Sequence, residues 1–341
     1  MKAAVLEKAG QLVVREMEKP APNSGEVLAR VCYCGICGTD LKMFRGEYAA
    51  KTSVVPGHEL AGVVAAVGDQ VKNVRIGDRV AVNPNISCGT CNECGSGRDN
   101  LCRHLTAYGV TFNGGFAEYM TVPETRVCRL KPDADLKAAS FAEPLSCALH
   151  AVDRAGEIAG RKTVVIGGGI QGLLLIQLLK QRGVGSIVLL SRSGSHAALA
   201  EKMGADLVVK TAGLNTLPEE ARSADVVIEA AGSPETLETA FNLVAPGGII
   251  VLYGLCGNGK KICFTPYLAL TNEVSIVSAW LNPGDTFPRA VELLQSGSVQ
   301  IEPLVSMIVS LNDINVGFER ALDKKAGFLK ALVRCTDENN K

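Results

Sequence analysis

Beyond Arg161 the chain alternates between short apolar runs and helical stretches, and few folds absorb that pattern. The runs cover residues 163–166, 186–190, 206–209, 225–231, 247–254 and 273–280, and GLLLIQLLKQRG and HAALAEKMGA are helical segments between them. Six buried strands joined by helical crossovers describe a doubly wound parallel sheet. Residues 1 to about 142 read differently. Short Val-rich runs such as GEVLARVCY and LAGVVAAV are broken there by Gly, Pro, Asn and Asp, as in a β-rich, barrel-like domain. From about residue 283 a helix at 287–295 and the strand-like FLKALVRC are expected to return to that first domain.

A length of 341 residues fits two domains. Thirty-five basic and 35 acidic residues cancel without a long run of either sign, which argues against a nucleic-acid scaffold or a polybasic membrane anchor. A single Trp and 5% aromatics argue against a base-stacking surface. No apolar stretch reaches the roughly 18 residues of a membrane span. Glu7 and Lys8 interrupt the start where a signal peptide needs apolar residues, so a cytoplasmic protein is expected.

The first run leads into Gly167-x-Gly169-x-x-Gly172, which opens a helix. Gly167 would make the tight turn, Gly169 would admit a pyrophosphate to the backbone, and Gly172 would allow close helix packing. The phosphates would then face the free N–H groups of the helix N-terminus. Ile170 and Gln171 within this turn, and Gly254 and Leu255 after a later strand, join the candidate cofactor contacts. A dinucleotide site usually carries Asp or Glu at the end of the second strand to hold a ribose 2′-OH. Here that strand ends in Ser191-Arg192, with His196 nearby. Loss of the carboxylate and gain of a guanidinium favour a 2′-phosphate, hence NADP(H) over NAD(H).

Seven of the twelve cysteines fall in two clusters: Cys32, Cys34, Cys37, and Cys88, Cys91, Cys94, Cys102. In a reducing compartment such spacing reads as metal ligation. The second cluster lets one loop wrap a tetrahedral ion, a closed structural zinc site. A second candidate set is scattered: Cys37 in GICGTD, His58 and Glu59 in PGHEL, and Glu143 in FAEPLSC. One thiolate, one imidazole and one or two carboxylates suit a zinc site with room for water or substrate.

Taken in order, GICGTD, GHE, the four-cysteine lobe, GGFAEY and the glycine turn resemble the zinc-containing medium-chain dehydrogenase/reductases over essentially the whole chain. Glu143-Pro-Leu-Ser resembles the sorbitol-type polyol branch. The resemblance implies an α/β protein with a GroES-like β-rich catalytic domain (1–150 and 285–341) and a six-stranded Rossmann domain (151–284). It implies Cys37, His58 and Glu59 as ligands of a catalytic zinc, and Glu143 as a fourth ligand or a hydrogen-bond partner of the metal's water. Thr39 matches the family's proton-relay hydroxyl, but Lys42 stands where some members carry a relay histidine. That cation and Arg45 either face an anionic substrate group or are solvated. The expected chemistry is hydride transfer between NADP(H) and a secondary alcohol of a polyol, phosphorylated or not, with one catalytic and one structural zinc per chain. The expected assembly is a homodimer or homotetramer. The alternatives are a threonine 3-dehydrogenase or simple alcohol dehydrogenase, and an NADPH sensor on a dehydrogenase scaffold.

Overall fold

The computed structural model describes residues 1–48, 53–211, 219–323 and 327–337. The chain forms two compact units: Met1–Ser146 with Asn282–Lys341, and Cys147–Leu281.

The first unit opens with an antiparallel pair, β1 (Lys2–Lys8) and β2 (Gln11–Glu16), followed by β3 (Glu26–Gly35) and helix α1 (Gly38–Phe44). Next come β4 (Glu59–Val67), β5 (Arg79–Val82), β6 (Asn85–Ile86), the short helix α2 (Asn92–Gly95), β7 (Thr106–Ala107), β8 (Tyr119–Pro123) and β9 (Val127–Arg129). Helix α3 (Leu136–Ala139) follows, and the chain passes from the first unit to the second within α4 (Ala142–Arg154). Strand β3 is the hub of the unit's main sheet, pairing with β4 and β8. Nine of its ten residues are buried, Arg30 among them, so both faces of the strand are covered.

The second unit is the doubly wound sheet. Its elements are β10 (Lys162–Ile166), α5 (Ile170–Gln181), β11 (Ser186–Ser191), α6 (Ala197–Met203), β12 (Leu207–Lys210), β13 (Ala224–Glu229), α7 (Pro234–Leu243), β14 (Val244–Leu252), α8 (Pro266–Thr271) and β15 (Ser275–Ser278). All five pairings are parallel, in the order β12-β11-β10-β13-β14-β15. Helix α5 is apolar nearly all round and buries eight residues, as a crossover pressed on a sheet must. Local signals set the boundaries: α6 stops at Gly204, whose φ of +118° suits glycine, and α7 starts from a Ser233–Thr236 capping box with Pro234 behind it.

The chain then closes the first unit with α9 (Thr286–Gln295), β16 (Val305–Ser310), α10 (Ile314–Asp323) and β17 (Lys330–Arg334). Strand β17 lies between β16 and β3, which brings residues more than 270 positions apart into one sheet and one core. No helix of the described residues is long and apolar enough to cross a membrane.

Candidate functional site

Strand β3 delivers Cys37 to the N-terminus of α1, where it is the capping residue. Asp40 closes that cap: its Oδ2 accepts the Cys37 N–H at 2.8 Å and its Oδ1 accepts the Gly57 N–H at 3.2 Å. One carboxylate, 1% exposed, thus fastens both loops that carry candidate ligands. Gly57 has φ +93°, and a Cβ there would lie 2.8 Å from Cys34 Sγ and 2.9 Å from the Phe116 backbone nitrogen. His58 follows, and Glu59 opens β4 opposite Gly35, where a Cβ would meet Glu59 Oε2 at 2.2 Å. As a result the ligand atoms of Cys37, His58 and Glu59 all lie within 4.8 Å of one another.

Lys330 is the fifth member of this cluster. Its Nζ donates to Glu59 Oε1 at 2.8 Å and to the Ile36 carbonyl at 3.3 Å, and stands 2.5 Å from Glu59 Oε2. Burial pushes the Lys330 ammonium towards losing its proton, but the charges of Glu59, Cys37 and Asp40 reverse that and hold its pKa above the usual value. His58 behaves alike: burial lowers it, yet the Cys37 thiolate and the Asp40 carboxylate carry it well above the usual imidazole range. The pocket therefore favours positive charge. A thiol, an imidazole and two carboxyl groups thus face one another around the buried Lys330 side chain, a donor set that suits a divalent cation. Glu59 Oε2 faces only the Lys330 ammonium, and one buried atom here, His58 Nδ1, makes no hydrogen bond. His58 Nδ1 lies 3.6 Å from Asp40 Oδ1, too far for one. An unsatisfied buried polar atom costs about 1–3 kcal/mol, which a metal ion would relieve. The donor set and the unpaired imidazole nitrogen of His58 both fit zinc.

Glu143 does not join this convergence. It sits in the first turn of α4, buried, with its own carbonyl accepting from Ser146 Oγ at 2.6 Å. It lies outside the group whose ligand atoms all come within 4.8 Å of one another, and its expected part, as a fourth ligand or a hydrogen-bond partner of the metal's water, is a matter for proposal. Thr39 stands half-buried in the first turn of α1, next to Asp40. Arg45 is exposed and paired with Glu47 at 2.8 Å through two contacts, so its charge is already met at the surface.

The cysteine lobe is a self-contained cluster. Cys88, Cys91, Cys94 and Cys102 bring their sulfurs within 4.8 Å of one another, with Cys88–Cys94 at 4.0 Å and Cys91–Cys94 at 3.5 Å. A tetrahedron of 2.3 Å Zn–S bonds has edges of about 3.8 Å. Backbone N–H groups of Cys88 and His104 already point at Cys102 Sγ, at 3.2 and 3.3 Å. Hydrogen bonds from the Thr90 backbone and hydroxyl pull the Cys88 thiol down to about 5, while burial pushes Cys94 up to about 11. Of the cysteines outside both candidate metal groups, Cys32, Cys34 and Cys335 are buried, whereas Cys263 is exposed.

In the second unit each glycine of the turn has its own physical reason. Gly167 has φ +121°, and a Cβ on Gly172 would lie 1.8 Å from the Gly167 carbonyl oxygen. A Cβ on Gly169 would meet no atom within 4 Å, so packing does not require glycine there, whereas close approach of a phosphate does. Ile170 and Gln171 form the first turn of α5, whose leading N–H groups lack helical partners. Ser191 is buried, accepts from Gly194 N–H at 3.3 Å, and packs so tightly that a Cβ on Gly168 would lie 2.6 Å from its Oγ. His196 Nδ1 sits 3.1 Å from the Gly168 carbonyl, tying the second-strand loop to the glycine turn. Arg192 is exposed and pairs with no described residue. Gly254 donates to the Glu229 carbonyl at 2.7 Å, and Leu255 beside it is 44% exposed.

Sequence reading missed Asp40 and Lys330. Asp40 carried a signal, an acidic residue three positions after a helix-capping Cys. Lys330 carried a weaker one, a single charge inside the apolar run FLKALV.

Comparison with known proteins agrees with this geometry. A family model described as the alcohol dehydrogenase GroES-like domain matches residues 23–133, and one described as zinc-binding dehydrogenase matches 171–296. The chain is 34% identical to D-arabinitol dehydrogenase 1 of Uromyces fabae, over 96% of this chain and 94% of that one. It is 32% identical to sorbitol dehydrogenase of Bacillus subtilis, over 98% and 97%. A Sinorhizobium meliloti protein assigned as a zinc-binding dehydrogenase, solved bound to NADP, superposes with a TM-score of 0.93 at 36% identity, covering 98% of each chain.

Proposed function

The chain belongs to the zinc-containing medium-chain dehydrogenase/reductases, in their polyol branch, and is an oxidoreductase of alcohols; from that premise we propose an NADP(H)-preferring enzyme that interconverts a secondary alcohol of a polyol with its ketone. An enzyme of this kind leaves no place for the sensor alternative. The observation that carries the proposal is the convergence of half-buried Cys37 with buried His58 and Glu59 beside a balancing Lys330.

When bound, zinc supplies Lewis acidity toward the substrate oxygen, and the nicotinamide exchanges hydride with the carbinol carbon. Cys37, His58 and Glu59 would hold the metal, with Asp40 fixing the loops of the first two. Thr39 would carry the substrate hydroxyl's proton away from the site, and Glu143 would orient water or substrate from α4. The four lobe cysteines would hold a second, structural zinc. In the second unit the N-terminus of α5 and Gly169 would take the pyrophosphate, and Arg192 the 2′-phosphate. The absence of a carboxylate after β11 and the unpaired state of Arg192 among described residues support NADP(H), as does the NADP held by the Sinorhizobium protein. Because Glu47 already neutralises Arg45, an unphosphorylated polyol is the substrate we favour.

A homodimer or homotetramer is proposed as well. It is supported by the edge strand β15, with Ile276 42% exposed, and by α8, where Tyr267, Leu268 and Leu270 are exposed. Light scattering would measure its mass.

The test of function is oxidation of a panel of polyols, polyol phosphates and L-threonine with NADP⁺ and NAD⁺ side by side, with and without chelator. Chelator-sensitive polyol oxidation favouring NADP⁺ is expected. Preference for NAD⁺ would remove the role given to Arg192, and L-threonine as the better substrate would remove the polyol assignment.

A further inference from the structure

We propose that Glu229 is a positioning residue that shapes the nicotinamide half of the dinucleotide site, an inference resting on the dinucleotide reading of the glycine turn. In the second unit the strand order runs β12-β11-β10 to one side and β13-β14-β15 to the other, so the order reverses between β10 and β13. Ligands of such sheets sit beyond the carboxyl ends of the strands at this switch point. Glu229 is the last residue of β13 and pairs in register with Ile166, the residue before Gly167. It is fully buried, and no described cation forms an ion pair with it.

What it does there is hold backbone. Its Oε1 accepts from the N–H groups of Ala231 and Gly232 and from Thr236 Oγ1, each at 2.8 Å. Its main-chain carbonyl accepts from Tyr253 at 3.0 Å and Gly254 at 2.7 Å. One residue therefore fixes the turn after β13 and the turn after β14. The fit leaves no slack: a Cβ on Gly254 would lie 2.7 Å from Glu229 Oε2 and 2.3 Å from the Gly232 nitrogen, and one on Gly167 would lie 3.1 Å from the Ala231 nitrogen. Tyr253 then donates its hydroxyl to Gln171 Oε1 at 2.6 Å, linking the β14 turn to the first turn of α5. With the adenosine half assigned to β11 and Arg192, the remaining half of the ligand faces the two turns that Glu229 fastens. Oε2 accepts no hydrogen bond, so half of this buried carboxylate is spent on no protein partner.

The experiment measures binding by the zinc-loaded protein of NADPH and NADH, by fluorescence, and of 2′,5′-ADP and AMP, by calorimetry. The proteins are wild type, Glu229→Ala, Glu229→Gln and Gly254→Ala. Glu229→Ala is expected to weaken the reduced dinucleotide about tenfold while leaving the adenosine fragment within about twofold. Glu229→Gln, which keeps the accepting oxygen, should restore most of the loss, and Gly254→Ala, which drives a methyl group against the carboxylate, should reproduce it. Equal loss for dinucleotide and fragment would mean a general structural role and overturn the proposal, as would no loss at all. If Glu229→Ala does not fold, Gly254→Ala and Thr236→Val carry the same comparison. Wild type that binds neither dinucleotide would instead bring down the dinucleotide reading, and this inference with it.

Discussion

The four lobe cysteines come from fifteen consecutive residues, 88–102, whereas Cys37, His58 and Glu59 come from two loops and lean on Lys330, which follows Glu59 by 271 positions. The lobe gathers its sulfurs within a local turn, using the backbone N–H groups of Cys88 and His104. The other cluster needs β3, β4 and β17 to pair before its members meet. A local cluster is closed on itself and can only hold. A cluster assembled from several elements can leave one side free for chemistry, at the cost of buried charge that must be balanced. Lys330 is that balance.

The largest expected effect separates the two sites outright. Cys37→Ser should lower turnover by at least about a thousandfold, ~4 kcal/mol of barrier, while metal analysis still finds the lobe's zinc. Full turnover in that variant would remove the chemical role given to the assembled site.

Lys330→Met comes next. Removing one partner of a buried pair typically destabilises by about 3–5 kcal/mol, because the other charge is stranded. Denaturant unfolding should show a loss of that order in chelator-stripped protein and a smaller one after zinc is restored, since the metal then compensates Glu59. An equal loss in both states would mean that Lys330 balances nothing the metal touches.

Cys91→Ser should act the other way round. Loss of the lobe's ion is expected to lower Tm by roughly 3 °C, as for ~2 kcal/mol in a protein of this size, with kcat changed little. A kcat that collapses while Tm holds would reverse the two assignments.

Acid sharpens the contrast more gently. With no metal bound, the His58 pKa is raised in the folded state, so its protonated form adds stability below the unfolded value near 6.5, lost as pH rises through the higher folded value. A ligating imidazole must be neutral, so zinc competes with that proton. Affinity at the Cys37 site should fall about tenfold per pH unit below the raised His58 pKa, and the fall should begin above pH 6.5. Competition with a chromogenic chelator across pH 5–8 measures it, and a flat profile would show that His58 is not a ligand.

The second unit was the more legible half. Parallel strands buried on both faces write uniform apolar runs, and the helices between them carry Gly204, Ser233 and Pro234 as local punctuation. The lobe was legible for the same reason, since its spacing is its geometry. In the first unit the ligand types Cys37, His58 and Glu59 could be read, but not the carboxylate of Asp40 that fastens their loops through the α1 cap, nor Lys330. Helix α8 also escaped, because its apolar residues face outward and so carry no burial pattern.

What the sequence determined by itself is whatever depends on neighbours within a turn or two: strand and helix periodicity, the glycine turn, the cysteine lobe and the absence of a carboxylate after Leu190. What only the tertiary structure decided is the company each buried charge keeps. Lys330 is one cation in an apolar strand until β17 pairs with β3 and sets it on Glu59, and Glu229 is one acid at a strand end until three turns close around it. Charge in a low-dielectric interior must be balanced or hydrogen-bonded. The groups that do so are chosen by sheet topology, which brings together residues that sequence spacing leaves unrelated.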